Sequence, residues 1–162
     1  MIYCWHDKNI KLKIAGRFEF PDEEEIFNEK LIKNNIQNVE IVGWTDYDKI
    51  SDNLSDMDVC FDLRELSFIY KNSLPIKLFE YLAAGKPVIY SSIKPLIKDI
   101  KIDDFGFLID PKNIDEIVSK TERYLLQKEL LNKHSVAARK FIEDGNNWEE
   151  ESLKLISFID SL

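Results

Sequence analysis

Thiols are scarce in this sequence: of 162 residues only Cys4 and Cys60 are cysteines. Cys60 sits inside an apolar stretch that reads as a buried strand, which speaks against a disulfide framework and for a reducing compartment, the cytoplasm. Histidine is equally rare, and neither His6 nor His134 has partners at the spacing that metal ligands require. Basic residues are outnumbered, 22 Lys and Arg against 30 Asp and Glu, for a net charge of −8. That balance argues against nucleic acid as a partner, because phosphate backbones are held by an excess of Lys and Arg. It leaves room for one phosphorylated small molecule. Apolar runs such as Phe107-Leu108-Ile109 and Tyr81-Leu82-Ala83-Ala84 are far too short for an integral membrane segment. Met1 to His6 lacks the charged, apolar, small order of a signal peptide. Internal repeats, low-complexity tracts, P-loops and G-x-S-x-G elbows are all missing.

What remains is material for a core. Hydrophobic residues make up 44% of the chain and charged ones 32%, in a length that suits one domain. Leu12 to Ala15 reads as a strand ended by Gly16. Pro21 and the acidic run Asp22 to Glu25 open a helix with Ile26, Phe27, Leu31 and Ile32 on its apolar face. Val39 to Val42, ended by Gly43, is a second strand, Asp46 to Leu54 a short helix, and Val59 to Phe61 a third strand. Leu66 to Asn72 reads as irregular. Pro75 starts a helix that Gly85 and Pro87 stop near Ala84. Val88 to Tyr90 and Phe105 to Ile109 are the last strands. Helical spacing then carries Ile114, Ile117, Thr121 and Tyr124, next Leu130, His134, Ala138 and Phe141, and finally Leu153, Ile156 and Ile159. Such alternation predicts an α/β fold, a Rossmann-like parallel sheet flanked by helices with a helical C-terminal tail. Ligands on these sheets sit at the carboxyl ends of the strands.

One segment combines apolar packing with charge. The helix after Pro75 is apolar nearly all round through Ile76, Leu78, Phe79, Leu82, Ala83 and Ala84, the composition of a helix packed deep in a protein, yet Lys77 and Glu80 stand i,i+3 on it. Asn72 and Ser73 lie just before the free N–H groups of its first turn, a natural seat for an anion. Glu80 follows about 7 Å further along the axis. A nucleoside diphosphate fits this arrangement, with phosphates at the helix start and ribose hydroxyls on the carboxylate, which accepts bonds from two neighbouring hydroxyls. Spacing alone leaves open a plainer reading, in which Lys77 and Glu80 pair with each other at the surface.

Residues 72–89 resemble the donor-site segment of GT-B glycosyltransferases of the family 4 type, in the variant S-x-P-x-K-x-x-E-Y-x-A-x-G-x-P-V-I. Further pieces resemble the same family in the same order: Leu12 to Gly16, Asn38 to Gly43, Met57-Asp58-Val59, Gly106 to Pro111 and Asn147-Trp148-Glu149. The resemblance implies that Glu80 binds the donor ribose and that Asn72 stands where the family places the first glutamate of its E-x7-E pair, keeping hydrogen bonding but losing charge. It implies that Ser73, Leu74 and Pro75 line the diphosphate, with Lys77 as a cation near it. Gly16 would close the loop after the first strand, and Gly43, Trp44 and Thr45 the loop near the nucleobase. It further implies transfer of a sugar from a nucleotide-sugar to a hydroxyl acceptor, in glycan or polysaccharide biosynthesis, with retention and without a metal or other cofactor.

Two departures qualify the match. Only about ten residues precede Leu12, too few for the G-R-x-x-x-x-K-G strand and helix whose Arg and Lys neutralise the leaving diphosphate. The acceptor-binding N-terminal domain is expected to lie outside this chain. The expectation is therefore a single C-terminal donor-binding domain over residues 1–162, with a helical tail over 113–162, truncated at its N-terminal side. It would be completed by a separate acceptor-binding domain or chain, cytoplasmic and peripheral to a membrane in the complete enzyme. The alternative is a nucleotide-sugar-binding or partner-completing domain without activity of its own. Asp56-Met57-Asp58 precedes a strand rather than ending one, unlike a metal-binding D-x-D, and Lys86-Pro87 leads into a strand, unlike the pair in a phospho-receiver domain. His134 reads as a core histidine, Trp44 and Trp148 as packing residues, and the acidic runs at 22–25 and 149–151 as solvated helix starts.

Overall fold

A computed structural model of the chain describes residues 10–65, 67–93, 96 and 100–162. Cys4 and His6 therefore lie outside the described residues. The chain divides into two compact units, Met1–Ser51 and Asp52–Leu162.

The first unit holds β1 (Leu12–Ala15), α1 (Pro21–Lys33) and β2 (Val39–Gly43). β1 and β2 pair in parallel from Leu12 opposite Val39 to Ala15 opposite Gly43, with a register shift between Ile14 and Ala15. Asn38 donates its side-chain amide to Ile10 O at 2.6 Å and pins the entry to β1. α1 begins on Pro21, carries Asp22, Glu23 and Glu24 in its first turn, and ends with Lys30 and Lys33, so its charges complement the helix dipole at both ends. Its apolar face is narrower than the sequence suggests. Phe27 stacks on Phe18 with ring centroids 5.5 Å apart, whereas Ile26 and Ile32 are exposed. Four apolar residues spread over adjacent positions cannot all face one side of a 3.6-residue helix.

A short helix, α2 (Ile50–Ser55), crosses into the second unit, which continues with β3 (Cys60–Asp62), α3 (Phe68–Lys71), α4 (Ile76–Ala83), β4 (Val88–Ser91), β5 (Gly106–Ile109), α5 (Ile114–Leu126), α6 (Lys128–Glu143) and α7 (Trp148–Asp160). The segment expected to be irregular thus contains a helical turn, α3. It forms because the Ser67 hydroxyl caps it, accepting from Tyr70 N. β3, β4 and β5 form a parallel ladder in the order β3-β4-β5. The strands expected in one sheet therefore fall into two hydrogen-bonded ladders among the described residues, one in each unit.

β4 is buried along its whole length, and its side chains alternate between two cores. Val88 and Tyr90 pack with Cys60, Leu78 and Leu82 of α4 and Ala138 of α6. Ile89 packs on the other face with Phe107, Ile109, Ile117 and Tyr124. Helices thus cover both faces, as a parallel sheet demands. Fully burying each Leu, Ile or Val contributes about 1.5–3 kcal/mol. Gly106 sits opposite Val88, and a Cβ built there would lie 2.3 Å from the Val88 carbonyl oxygen.

The end of α4 is closed by a Schellman arrangement. Gly85 takes φ +66°, Gly85 N–H donates to Leu82 O and Lys86 N–H to Tyr81 O, both at 2.9 Å. Two side chains of α6 satisfy nearby carbonyls: Arg139 Nη1 donates to Ala83 O at 2.7 Å and the Ser135 hydroxyl to Gly85 O. α4 is less enclosed than its composition implies. Leu78 and Leu82, one turn apart, are wholly buried, but Ile76 is 78% exposed. Leu78 and Leu82 form the i,i+4 stripe in the core, Phe79 and Tyr81 pack partly against it, and Ile76 lies off it. No helix among the described residues is long and apolar enough to cross a membrane.

Candidate functional site

The connection from β3 to α4 leaves the carboxyl edge of the second unit's sheet, where such folds bind ligands. Its geometry starts with Asn72, which ends α3 and donates its side-chain amide to Phe68 O at 2.7 Å. The Ser73 hydroxyl reaches Tyr70 O at 3.5 Å, Leu74 is half exposed, and Pro75 is buried with extended backbone at the N-cap of α4. No side chain caps the start of α4. Its leading amides are the unsatisfied donors that a helix offers to an anion.

Lys77 is exposed and Glu80 half-buried. Each lacks a side-chain hydrogen bond or ion pair with another described residue, so the plain surface pair between them is not formed. Glu80 is flanked by Tyr81, whose hydroxyl is pushed well above the ordinary phenol range, first by burial and then by the charges of Cys60, Asp62 and Glu80, against Arg64. Burial also raises the Cys60 thiol to about 12, so it stays protonated and packs as an apolar group.

Below this loop lies a polar cluster that sequence reading did not assemble. Asp62, the last residue of β3, accepts hydrogen bonds from the Tyr90 hydroxyl and, at 2.6 Å, from Arg64 Nε. The register that sets Asp62 beside Tyr90 puts both on the α4 face of the sheet. Arg64 N–H donates to Ser91 Oγ at 2.7 Å, and the Arg64 guanidinium lies over the Tyr70 ring of α3 at 5.2 Å. The hydrogen bond that Arg64 donates to Asp62 raises the Arg64 pKa further, and burial followed by its own bond to Asp62 raises that of Tyr90. The signal in the sequence was present but faint: Asp62 ends one strand and Tyr90 lies near the end of the next, at the edge where ligands bind.

The other four expected site residues belong to the first unit and meet there. Gly16 and Gly43 close the ends of β1 and β2, with Gly16 N–H donating to Gly43 O at 2.8 Å. Trp44 is 71% exposed with the Arg17 guanidinium 5.2 Å from its ring, and Thr45 is half-buried. Trp44 is therefore not a packing residue, and Trp148, 75% exposed, is not one either. Each follows a chain turn that carries the ring outward, Gly43 in one case and the Asn147 helix cap in the other. His134 is buried as expected, its Nδ1 2.8 Å from the Tyr124 hydroxyl. Asp56 and Asp58 precede β3, and among the described residues no group of three or more His, Cys, Asp or Glu is placed to hold a metal.

The second unit is a parallel α/β ladder whose carboxyl edge carries Asn72 to Glu80, and comparison with known proteins places the chain. A family model for glycosyl transferases group 1 matches residues 5–141, and the chain belongs to that family. No curated protein matches the sequence. Among solved structures, HepE of Anabaena in complex with UDP superposes with TM-score 0.82 at 13% identity, covering 94% of this chain and 41% of that one. Sucrose-phosphate synthase of Thermosynechococcus elongatus gives TM-score 0.78 at 19% identity over 93% of this chain and 38% of that one. TarM gives 0.68 at 22% identity over 93% and 29%. The fold is thus that of GT-B glycosyltransferase structures, and the chain spans less than half the length of the structures it matches. HepE has been solved with UDP, with UDP-glucose, and with UDP and glucose.

Proposed function

We propose that this chain is the donor-binding part of a glycosyltransferase of the family 4 type, which moves a sugar from a nucleotide-sugar to a hydroxyl acceptor in glycan or polysaccharide biosynthesis. The observation that carries the reading is a half-buried carboxylate, Glu80, without an ion-pair partner among the described residues, on a helix whose start no described side chain caps. Ribose hydroxyls donate to Glu80. The diphosphate lies against the amides of Ser73, Leu74 and the first turn of α4, with Lys77 as a nearby cation and Asn72 toward the sugar. When the glycosidic bond to the diphosphate breaks, the charge that builds on the leaving oxygen meets fixed amide dipoles and a cation, the kind of preorganised stabilisation that dominates such transfers. The reaction proceeds with retention and without a metal, on a cytoplasmic enzyme whose acceptor-binding domain or chain supplies the other wall.

Calorimetry of the 162-residue chain with UDP and GDP tests this. Glu80→Ala is expected to weaken the bound nucleotide about 10-fold to 100-fold, the loss of hydrogen bonds to a charged group. The same substitution should cost the 2′-deoxy nucleotide less, since it has already lost one of the two hydroxyl partners. Unchanged affinity in Glu80→Ala removes the ribose assignment. The alternative, a binding domain with no activity of its own, separates from the enzyme when transfer is assayed with the acceptor-binding part supplied.

A further inference from the structure

Among the described residues, the donor site proposed for α4 sets one side-chain cation, the flexible ammonium of Lys77, beside a helix start whose amides carry only partial charge. We propose that Arg64 is a donor-binding residue as well, its two Nη groups taking the phosphate oxygens of the nucleotide-sugar; this rests on the donor site proposed for α4.

Three observations carry it. Arg64 follows β3 by two residues, at the carboxyl edge of the sheet. Its guanidinium is fixed from two sides, by Asp62 at Nε and by the Tyr70 ring beneath it, with a side chain 28% exposed. Nη1 and Nη2 bond no other described residue. An arginine uses five N–H donors in a planar fork, and a monodentate bond through Nε leaves four of them in the geometry that suits a phosphate. The second side of the argument is connectivity. Tyr70 beneath the guanidinium is the same residue whose carbonyl accepts from Ser73, next to the leading turn of α4. Asp62 does not cancel the cation for this purpose. It is bonded by both Tyr90 and Arg64, and it orients the fork as a carboxylate orients a catalytic imidazole.

The test is a titration of the whole chain with UDP, UMP and uridine, followed by NMR so that weak binding is measured. GDP, GMP and guanosine replace them if the guanine nucleotide binds better. Arg64→Gln is expected to weaken the diphosphate about 10-fold to 100-fold while leaving the nucleoside within about 2-fold, so the ratio of the two affinities collapses. Arg64→Lys keeps a charge but not the fork and should recover only part of it. A purely structural role predicts equal losses for nucleoside and nucleoside diphosphate, and that result overturns the proposal. So does an unchanged diphosphate affinity in Arg64→Gln when wild type binds. If wild type binds no nucleoside diphosphate at all, the donor-site reading falls and this one falls with it, a result distinct from the other two.

Discussion

Two tyrosines on opposite faces of one sheet show two ways to bury a hydroxyl. Tyr90 donates a hydrogen bond to Asp62 at the carboxyl edge, where Arg64 adds a charge and the surface begins. Tyr124 meets His134 in a pocket closed by Phe107, whose ring centroid lies 5.1 Å from Tyr124 and 5.6 Å from His134. The first cluster is ionic and partly open; the second is neutral and sealed. Burial without a charge partner holds the His134 imidazole below its usual 6.5, helped by Lys133 and Arg123 against Asp104 and Asp103. A sealed neutral pair contributes packing and one hydrogen bond. An open ionic cluster retains donors that a ligand can use. Position at the strand ends, rather than burial as such, separates the two.

The largest effect is expected from removing the packing behind the Tyr90 cluster. Leu82→Ala takes a fully buried side chain from beneath α4 and should lower unfolding free energy by about 2–5 kcal/mol, read by urea denaturation. Next comes Tyr124→Phe, which orphans His134 and should cost about 1–3 kcal/mol. The nucleotide affinity of that variant should stay at the wild-type value, since the sealed cluster touches no site residue. A smaller effect is the pH dependence. Above about pH 6.5 His134 is neutral folded and unfolded alike; as pH falls below that value the unfolded chain takes up the proton first, so stability declines until the lowered native pKa is passed. His134→Gln should flatten this slope in melting curves recorded between about pH 5 and 8. The smallest effect is expected from Ile156→Ser on α7, where the side chain is 53% exposed and the change should stay within about 0.5 kcal/mol.

Much of the fold was legible because strands announce themselves by short apolar runs bounded by turn residues, Gly16 and Gly43 after β1 and β2 and Gly85 and Pro87 before β4. β1, β2 and β4 fall within a residue of their sequence readings, and His134 lies in the core as its helical spacing implied. α3 was missed because a four-residue helix carries no period, and its cap, Ser67, is one hydroxyl among several. The exposure of Ile76 was missed because composition gives no direction: an apolar residue off the buried stripe looks the same in a sequence as one on it. Glu80 and Lys77 were legible as charges on an apolar helix. The Asp62, Arg64 and Tyr90 cluster was not, because it joins residues 28 positions apart through strand register, a relation that local spacing does not encode.

Gly106 has the least room for a Cβ of the five glycines. With the Val88 carbonyl 2.3 Å from where any other residue would carry its first carbon, β5 lies as near β4 as a bare hydrogen permits. That site is therefore closed to drift: even alanine, the smallest alternative, must prise the strands apart and loosen the sheet that carries Tyr90 on one side and Phe107 on the other.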